Sequence, residues 1–378
     1  MKVALLTNGP GELWGWARPI IAELRKREHS VSLWLLPCQF ASGYERSVAS
    51  GLGTDKLEGP CGSAWMWCAL AQEKTDCVLQ LGGDLVFGRR IAERSGAPLL
   101  CYSYGFKKGM ERAWVFTAYR GMARSIDAKL KAPVQVIGDL VKDSLALERD
   151  NETFGNSKEI GVPHVLFFPG SRPAIRKLSL KWLVKVADHM KTLIPGVRFT
   201  TLFSPFVPEN ELPVWKNAGL NPVKSGSAGS AMAGAAIKTA DYALTQPGTN
   251  TLEMMHCGLP ALVAFPFDFL DVAPMGGLIG KLASGVPLAG RALKPIKKWK
   301  LLHSLKRQDG FISWPNRIAG RAILDEAIGE LTPRDLAKRI TASLRDEKKL
   351  SRVRGELLEL SGESGAASRL CDAAESVC

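Results

Sequence analysis

The chain has 378 residues, with 46% hydrophobic and 23% charged positions. These values exclude a mostly disordered chain and a disulfide-stapled miniprotein, and the length predicts two domains. Fifty Lys and Arg against 37 Asp and Glu leave a formal charge of +13, which favours an anionic partner: nucleic acid, a phosphate-bearing substrate or an anionic membrane. The eight cysteines (38, 61, 68, 77, 101, 257, 371 and 378) form no C-x-x-C pair. No structural zinc site is expected, and reduced thiols in a cytosolic protein fit better. The N-terminal apolar run is too short for a signal peptide, and no apolar stretch of ~18 residues exists to span a membrane.

In chain order, Val3–Leu6 reads as a strand, followed by a Gly-rich turn and a helix near Ala17–Arg27. Further strands are predicted at Val31–Leu36, Cys77–Leu81, Leu99–Tyr104 and Val134–Ile137. The polar segment 151–158 reads as a linker. The alternation then restarts with strands at Val165–Phe168, Arg198–Phe203, Tyr242–Thr245 and Ala261–Phe265. Helices are predicted at Leu178–Leu193 and Thr251–Cys257. Apolar runs bounded by Gly and Pro suit buried parallel strands. The expected fold class is therefore α/β, with two Rossmann-like doubly wound domains facing a cleft: 1–150, then 159–330, then a charged helical segment 331–378. Ligands of such sheets sit at the carboxyl ends of the strands.

Four turns carry candidate chemistry. Thr7-Asn8-Gly9-Pro10-Gly11-Glu12 follows the first strand. It is a close-approach loop for a ligand or simply a tight turn, and it lacks the G-x-G-x-x-G fingerprint. Gly82-Gly83-Asp84 ends a strand; Asp84 is a base for a sugar hydroxyl or a helix cap. Phe168-Pro169-Gly170-Ser171-Arg172 offers backbone donors and a guanidinium fork suited to a diphosphate, with Arg176 and Lys177 adding charge one turn later. In Thr245-Gln246-Pro247-Gly248-Thr249-Asn250-Thr251-Leu252-Glu253, small residues open a helix. Its N–H groups suit phosphate, and Glu253 suits ribose hydroxyls. A capping box built on Asn250 or Thr251 fits the same residues.

Taken together, these residues resemble the lipid-A-disaccharide synthase family of GT-B glycosyltransferases over most of the chain. Pro169-Gly170-Ser171-Arg172 matches that family's PGSR turn, and residues 248–253 look like its SGTATLE segment. Ser313-Trp314-Pro315-Asn316-Arg317-Ile318-Ala319-Gly320 looks like its SLPNLLAG segment. Val136-Ile137-Gly138-Asp139 resembles its FIGHP step, with Asp139 where His is usual. Gly9 to Gly15 takes the place of its N-terminal loop.

The resemblance implies a GT-B fold, a UDP-sugar donor held by the C-terminal half and an acylated sugar-phosphate acceptor held by the N-terminal half. By position, Gly170, Ser171 and Arg172 meet the diphosphate. Gly248, Thr249, Asn250, Thr251 and Glu253 hold the nucleotide, and Asn316 lies near the donor. Asp84 fits the first carboxylate of the family's G-x-D-x-P-D stretch, but Phe87 replaces the second, the family's proposed base. Either Asp84 or Glu12 then becomes the catalytic candidate, with Gly9 and Gly11 shaping the loop beside it, or the acceptor chemistry differs.

The expected reaction is inverting and needs neither metal nor cofactor. Helix N-termini and basic side chains stabilise the leaving UDP, and no Asp-x-Asp pair ends a strand. Segment 291–307 mixes seven Lys and Arg with Trp299, Leu301, Leu302 and Leu305, which suits peripheral contact with an anionic membrane. The expected location is cytoplasmic, peripheral at the inner membrane. Trp14, Trp16, Trp65 and Trp67 are candidates to wall an acyl groove. No RNA-binding motif is present, so nucleic acid is not expected as a partner. In the resembled family the C-terminal portion can exchange between subunits, which allows a homodimer. Two alternatives stand beside this reading. One is a UDP-N-acetylglucosamine 2-epimerase-like enzyme using His164 or His256; the other is a lipid-binding relative that has lost its base.

Overall fold

The computed structural model describes residues 1–38, 41–60, 69–70, 72–131, 133–148, 161–226, 233–272, 295–299, 303 and 310–378. They form two units, Met1–Leu147 with Gly362–Cys378, and Glu148–Ser361.

The first unit holds a seven-stranded sheet in the order β3-β2-β1-β4-β5-β6-β7, all parallel. Its strands are β1 (Lys2–Thr7), β2 (Ser30–Leu35), β3 (Lys56–Glu58), β4 (Cys77–Leu81), β5 (Leu99–Tyr102), β6 (Trp114–Thr117) and β7 (Gln135–Val136). The second unit holds a six-stranded parallel sheet in the order β10-β9-β8-β11-β12-β13. These strands are β8 (His164–Phe167), β9 (Arg198–Phe203), β10 (Pro222–Lys224), β11 (Tyr242–Thr245), β12 (Ala261–Pro266) and β13 (Asp325–Gly329). Each of the predicted strands has a counterpart here. β4 and β8 are buried at every residue and β1 at all but its first, which is why their sequences are almost wholly apolar.

The pattern missed β3, β6, β10 and β13. β3 and β10 have three residues each, too few for a period to register. β13 reads Asp-Glu-Ala-Ile-Gly and lies at the sheet edge, half-buried, where apolar residues are not required. The helix expected from Leu178 starts five residues earlier, at Pro173. Proline suits the first helical turn, where no N–H is needed. The helix expected at Ala17–Arg27 is present as Arg18–Lys26, and a π-turn, Leu13–Ala17, runs into it.

The C-terminal region does not form a segment of its own. Helices Pro333–Leu344 and Glu347–Leu360 belong to the second unit, while Ala366–Val377 returns to the first and packs on Arg18–Lys26. Arg27 holds it there, 2.7 Å from Asp372 and 3.0 Å from Glu375, with His29 2.8 Å from Glu375. The first unit ends at 147 instead of 150, and segment 151–158 lies outside the described residues.

Candidate functional site

In both sheets the strand order reverses beside the first strand of the unit. The crevice at such a switch point, outside the carboxyl ends of the strands, is where doubly wound folds bind ligands. All four turns picked out in the sequence lie at these two points.

In the second unit the switch falls between β8 and β11. Phe168 N–H donates to the Leu244 carbonyl at 3.0 Å, which brings residues 169–172 beside residues 245–250. Gly170 adopts φ +88°, a left-handed conformation that favours glycine. Gln246 bridges the two turns: its Nε2 donates to Ser179 Oγ at 2.9 Å, and Ser179 Oγ donates to the Pro169 carbonyl at 2.9 Å. Arg172 stands at the N-terminus of helix Pro173–Leu193, half-buried.

Arg176 does not add free charge as expected. It is 1% exposed and grips Glu211 in a fork at 2.8 and 2.6 Å, with a third N–H to the Ser171 carbonyl. Burial forces this pairing, because an isolated guanidinium cannot be left dry. Arg176 therefore builds the turn that presents Arg172.

The second turn opens helix Asn250–His256 without a side-chain cap, so the capping box does not form. Thr251, fully buried, donates from Oγ1 to the Gly248 carbonyl at 2.8 Å. Asn250 Nδ2 donates to Thr245 Oγ1. These two side chains fold the loop, and Gly248, Thr249 and Glu253 remain half-buried at its surface.

Asn316 is a correction. It is 0% exposed, and all its capacity is spent inside the fold. Its amide donates to the Leu324 carbonyl at 3.0 Å and Glu326 Oε1 at 2.8 Å, and its oxygen accepts from Ile323 and Leu324 N–H at 2.8 Å each. A primary amide offers two donors and two lone pairs, so none is left for a ligand. Its segment reaches the second turn through Trp314 N–H, which donates to Thr251 Oγ1 at 3.3 Å.

In the first unit the switch falls between β1 and β4. Gly82 has φ +81°, and a Cβ there would lie 2.9 Å from Asn8 Oδ1, 3.1 Å from Glu12 Cγ and 3.7 Å from Trp16 Cζ3. Three side chains of the β1 turn and the π-turn thus close on one glycine. Glu12 is half-buried, and a Cβ on Gly9 would lie 2.7 Å from its Oε2, so a side chain at residue 9 would displace the Glu12 carboxylate. Gly11 is half-buried in the same turn.

Asp84 is exposed, and its Oδ1 accepts from Val86 N–H at 3.1 Å, so it does cap the next helix. Its second oxygen remains a candidate acceptor for a proton. The turn before it is held by Gln80, wholly buried, which donates to the carbonyls of Gly82 and Asp84 at 3.0 and 2.8 Å and accepts from Gly88 N–H at 3.0 Å. Lys107 Nζ donates to the Gly83 carbonyl at 2.9 Å. Phe87 packs on the apolar cluster of Leu6, Trp34, Leu36 and Ile91, so its position serves the core.

Sequence reasoning missed Gln80 and Lys107, and gave Asn8 and Gln246 no role of their own within the turns that contain them. The one local signal was Gln80, a lone amide inside the apolar run of β4. Trp16 does not wall a groove: it is 6% exposed and belongs to the core. Trp14 lies under Arg18, 3.8 Å from its ring centre, and Trp65 and Trp67 lie outside the described residues. Neither histidine of the epimerase alternative sits at a turn. His164 opens β8, at the far end of the strand from Gly170, and bonds Thr200 at 2.9 Å. His256 ends its helix against Ser361 at 2.9 Å.

Of segment 291–307 only 295–299 and 303 are described. There Trp299 is 63% and Ile296 45% exposed, while Lys297 and Lys298 turn back to Leu270 and Glu330. Among the described residues no helix is long and apolar enough to cross a membrane, and no group of three or more acidic, His or Cys side chains could hold a metal.

Residues 126–281 match the lipid-A-disaccharide synthetase family. This stretch is under half of the chain, and it contains Gly138-Asp139, the PGSR turn and the 248–253 turn. The resemblance is borne out over that stretch. The turns at 9–12, 82–84 and 313–316 lie outside the match. No curated protein matches the chain in sequence. Among solved structures, MurG of Acinetobacter baumannii is similar at 14% identity and TM-score 0.55, covering 99% of both chains. The calicheamicin glycosyltransferase CalG4 is similar at 11% identity and TM-score 0.51, covering 99% of this chain and 98% of that one. A UDP-GlcNAc 2-epimerase from Neisseria meningitidis bound to UDP-GlcNAc is similar at 13% identity and TM-score 0.53, covering all of both chains. At such identities these likenesses establish the GT-B fold.

Proposed function

We propose that this chain is a glycosyltransferase that moves an acylated glucosamine from a UDP-sugar to an acylated sugar phosphate, in the manner of lipid-A-disaccharide synthase. The observation that carries this reading is the pairing of the 169–172 and 245–253 turns at the switch point of the second sheet, inside the stretch that matches the family. The family match and the fold both support a glycosyltransferase.

In this reading Gly170, Ser171 and Arg172 meet the diphosphate, and Gly248, Thr249 and Glu253 meet the nucleoside. Asn250, Thr251 and Arg176 hold the turns in shape. The reaction is inverting. A carboxylate of the first unit, Asp84 with Glu12 as its competitor, takes the proton of the acceptor hydroxyl. The freed oxygen attacks the anomeric carbon, the bond to the diphosphate breaks, and UDP leaves. Arg172 and backbone N–H groups stabilise the charge that develops on UDP, so no divalent metal is needed. The exposed Trp299 and Ile296, in a basic segment, favour peripheral contact with an anionic membrane.

The test is calorimetric titration of UDP and UDP-N-acetylglucosamine, with and without EDTA, on wild type and Arg172→Ala. Binding that survives EDTA and is lost in the variant supports the donor site. Absence of binding to wild type overturns it. Turnover of UDP-N-acetylglucosamine without an acceptor would replace transfer by the epimerase reading.

A further inference from the structure

The carboxyl edge of the first sheet carries a hydrogen-bonded belt that the four turns do not explain. Asp139, 2% exposed, lies just beyond β7, where the resembled family has His. It accepts from Tyr104 O–H at 2.5 Å, Tyr119 O–H at 2.9 Å and Val141 N–H at 3.0 Å. Tyr104 lies just beyond β5 and Tyr119 just beyond β6. Burial pushes both phenols well up, so each stays an O–H donor.

Tyr104 is also an acceptor: Trp16 Nε1 donates to its hydroxyl at 3.2 Å. The Trp16 indole is held further by edge contacts with Tyr102 at 5.2 Å and Tyr104 at 4.8 Å. Tyr102 is itself tied to the Asp139 loop, donating to the Gly138 carbonyl at 3.0 Å. The other side of the indole meets Gly82, beside Glu12. Trp16 sits in the π-turn that Glu12 opens, and π-turns recur at functional sites because they re-aim side chains. The links therefore run from β7 across the sheet to the β1 and β4 turns.

We infer that Asp139 is a positioning residue for the acceptor-side turn: through Tyr104 it fixes Trp16, and Trp16 fixes the spacing of Gly82 and Glu12. The inference deepens the transferase reading and rests on it for its kinetic consequence. Its structural part stands alone. A wall displaced by about 1 Å is enough to cost up to ~100-fold in rate without touching a reacting atom.

Two variants separate positioning from mere packing. Tyr104→Phe and Tyr119→Phe each remove one O–H bond from the same carboxylate, but only the first cuts the link to Trp16. Both should lose similar thermal stability and bind UDP as wild type does. Tyr104→Phe should lower kcat for transfer about 10-fold or more with donor KM unchanged, while Tyr119→Phe stays within about twofold. Without any activity, nitrogen–proton NMR reads the same link. The Trp16 indole signal, assigned with Trp16→Phe, and the Gly82 amide should both shift in Tyr104→Phe and stay put in Tyr119→Phe. Equal kinetic losses in the two variants, or an unmoved Gly82 amide in Tyr104→Phe, would overturn the inference. Absence of transfer by wild type with a Gly82 amide that still moves would overturn the proposed function and leave the positioning link standing.

Discussion

The Glu12 side chain fills the space that a side chain at residue 82 would need: a Cβ on Gly82 would lie 3.1 Å from Glu12 Cγ. The two candidate loops of the first unit are therefore one structure, closed by a glycine in a left-handed conformation.

Gly82→Ala should consequently be costly. It combines φ +81° with a 2.9 Å approach to Asn8 Oδ1, and strain of this kind costs about 1–3 kcal/mol. Urea unfolding should show that loss. Calorimetry should show UDP affinity unchanged, because the donor turns lie in the other unit. A variant as stable as wild type would mean that the loop relaxes freely.

Two arginines four residues apart should behave in opposite ways. Arg172→Ala should lose UDP binding and keep its melting temperature. Arg176→Met should lose stability, because the Glu211 fork and the Ser171 carbonyl lose their donor; Glu211 is a third exposed and can rehydrate, so about 1–3 kcal/mol is expected. Weakened UDP binding by Arg176→Met should follow its unfolding and not precede it. Thermal melts run beside titrations decide the matter.

Asn316→Ala should act on folding before it acts on binding. It strands the N–H groups of Ile323 and Leu324 and removes one donor from Glu326, whose carboxylate keeps Ile312 and Ser313. Unpaired buried groups cost about 1–3 kcal/mol each, so a loss of several kcal/mol is expected. Full stability with selective loss of UDP affinity would restore Asn316 as a ligand.

The second unit should carry an acid-sensitive clasp. Burial alone would raise the Asp325 carboxyl, yet Lys349 at 2.7 Å, Tyr242 and Ser343 outweigh it and hold the group below its ordinary value. A lowered pKa contributes stability above the unfolded value of about 3.9, lost as pH falls through the folded one. Lys349→Met should therefore destabilise at pH 7 by under about 1 kcal/mol, since the pair is a third exposed and screened. Its gap to wild type should narrow as the pH falls below about 4 and close only once the folded-state carboxyl is protonated. A gap independent of pH would assign the loss to packing of the lysine stem.

Much was legible in the sequence because it is local. Val3–Leu6, Cys77–Leu81 and Tyr242–Thr245 are apolar runs ended by Gly, Pro or small polar residues, and a buried parallel strand needs no more than that. Likewise Gly170 and Gly248 announce turns from their own neighbourhood. The two strand-helix series, the doubly wound class and the positions of the four candidate turns follow from such runs.

What only the tertiary structure decided involves partners far apart in the chain. Arg176 and Asn316 look like ligand residues in a motif, but burial against Glu211 and Glu326 turns them into framework. Trp16 looks like a surface wall until Tyr102, Tyr104 and Gly82 enclose it. The last helix joins the first unit through Arg27 and Asp372, 345 residues apart. No local pattern encodes such a pairing. A side chain's role depends on what removes it from water, and that is settled when distant segments pack.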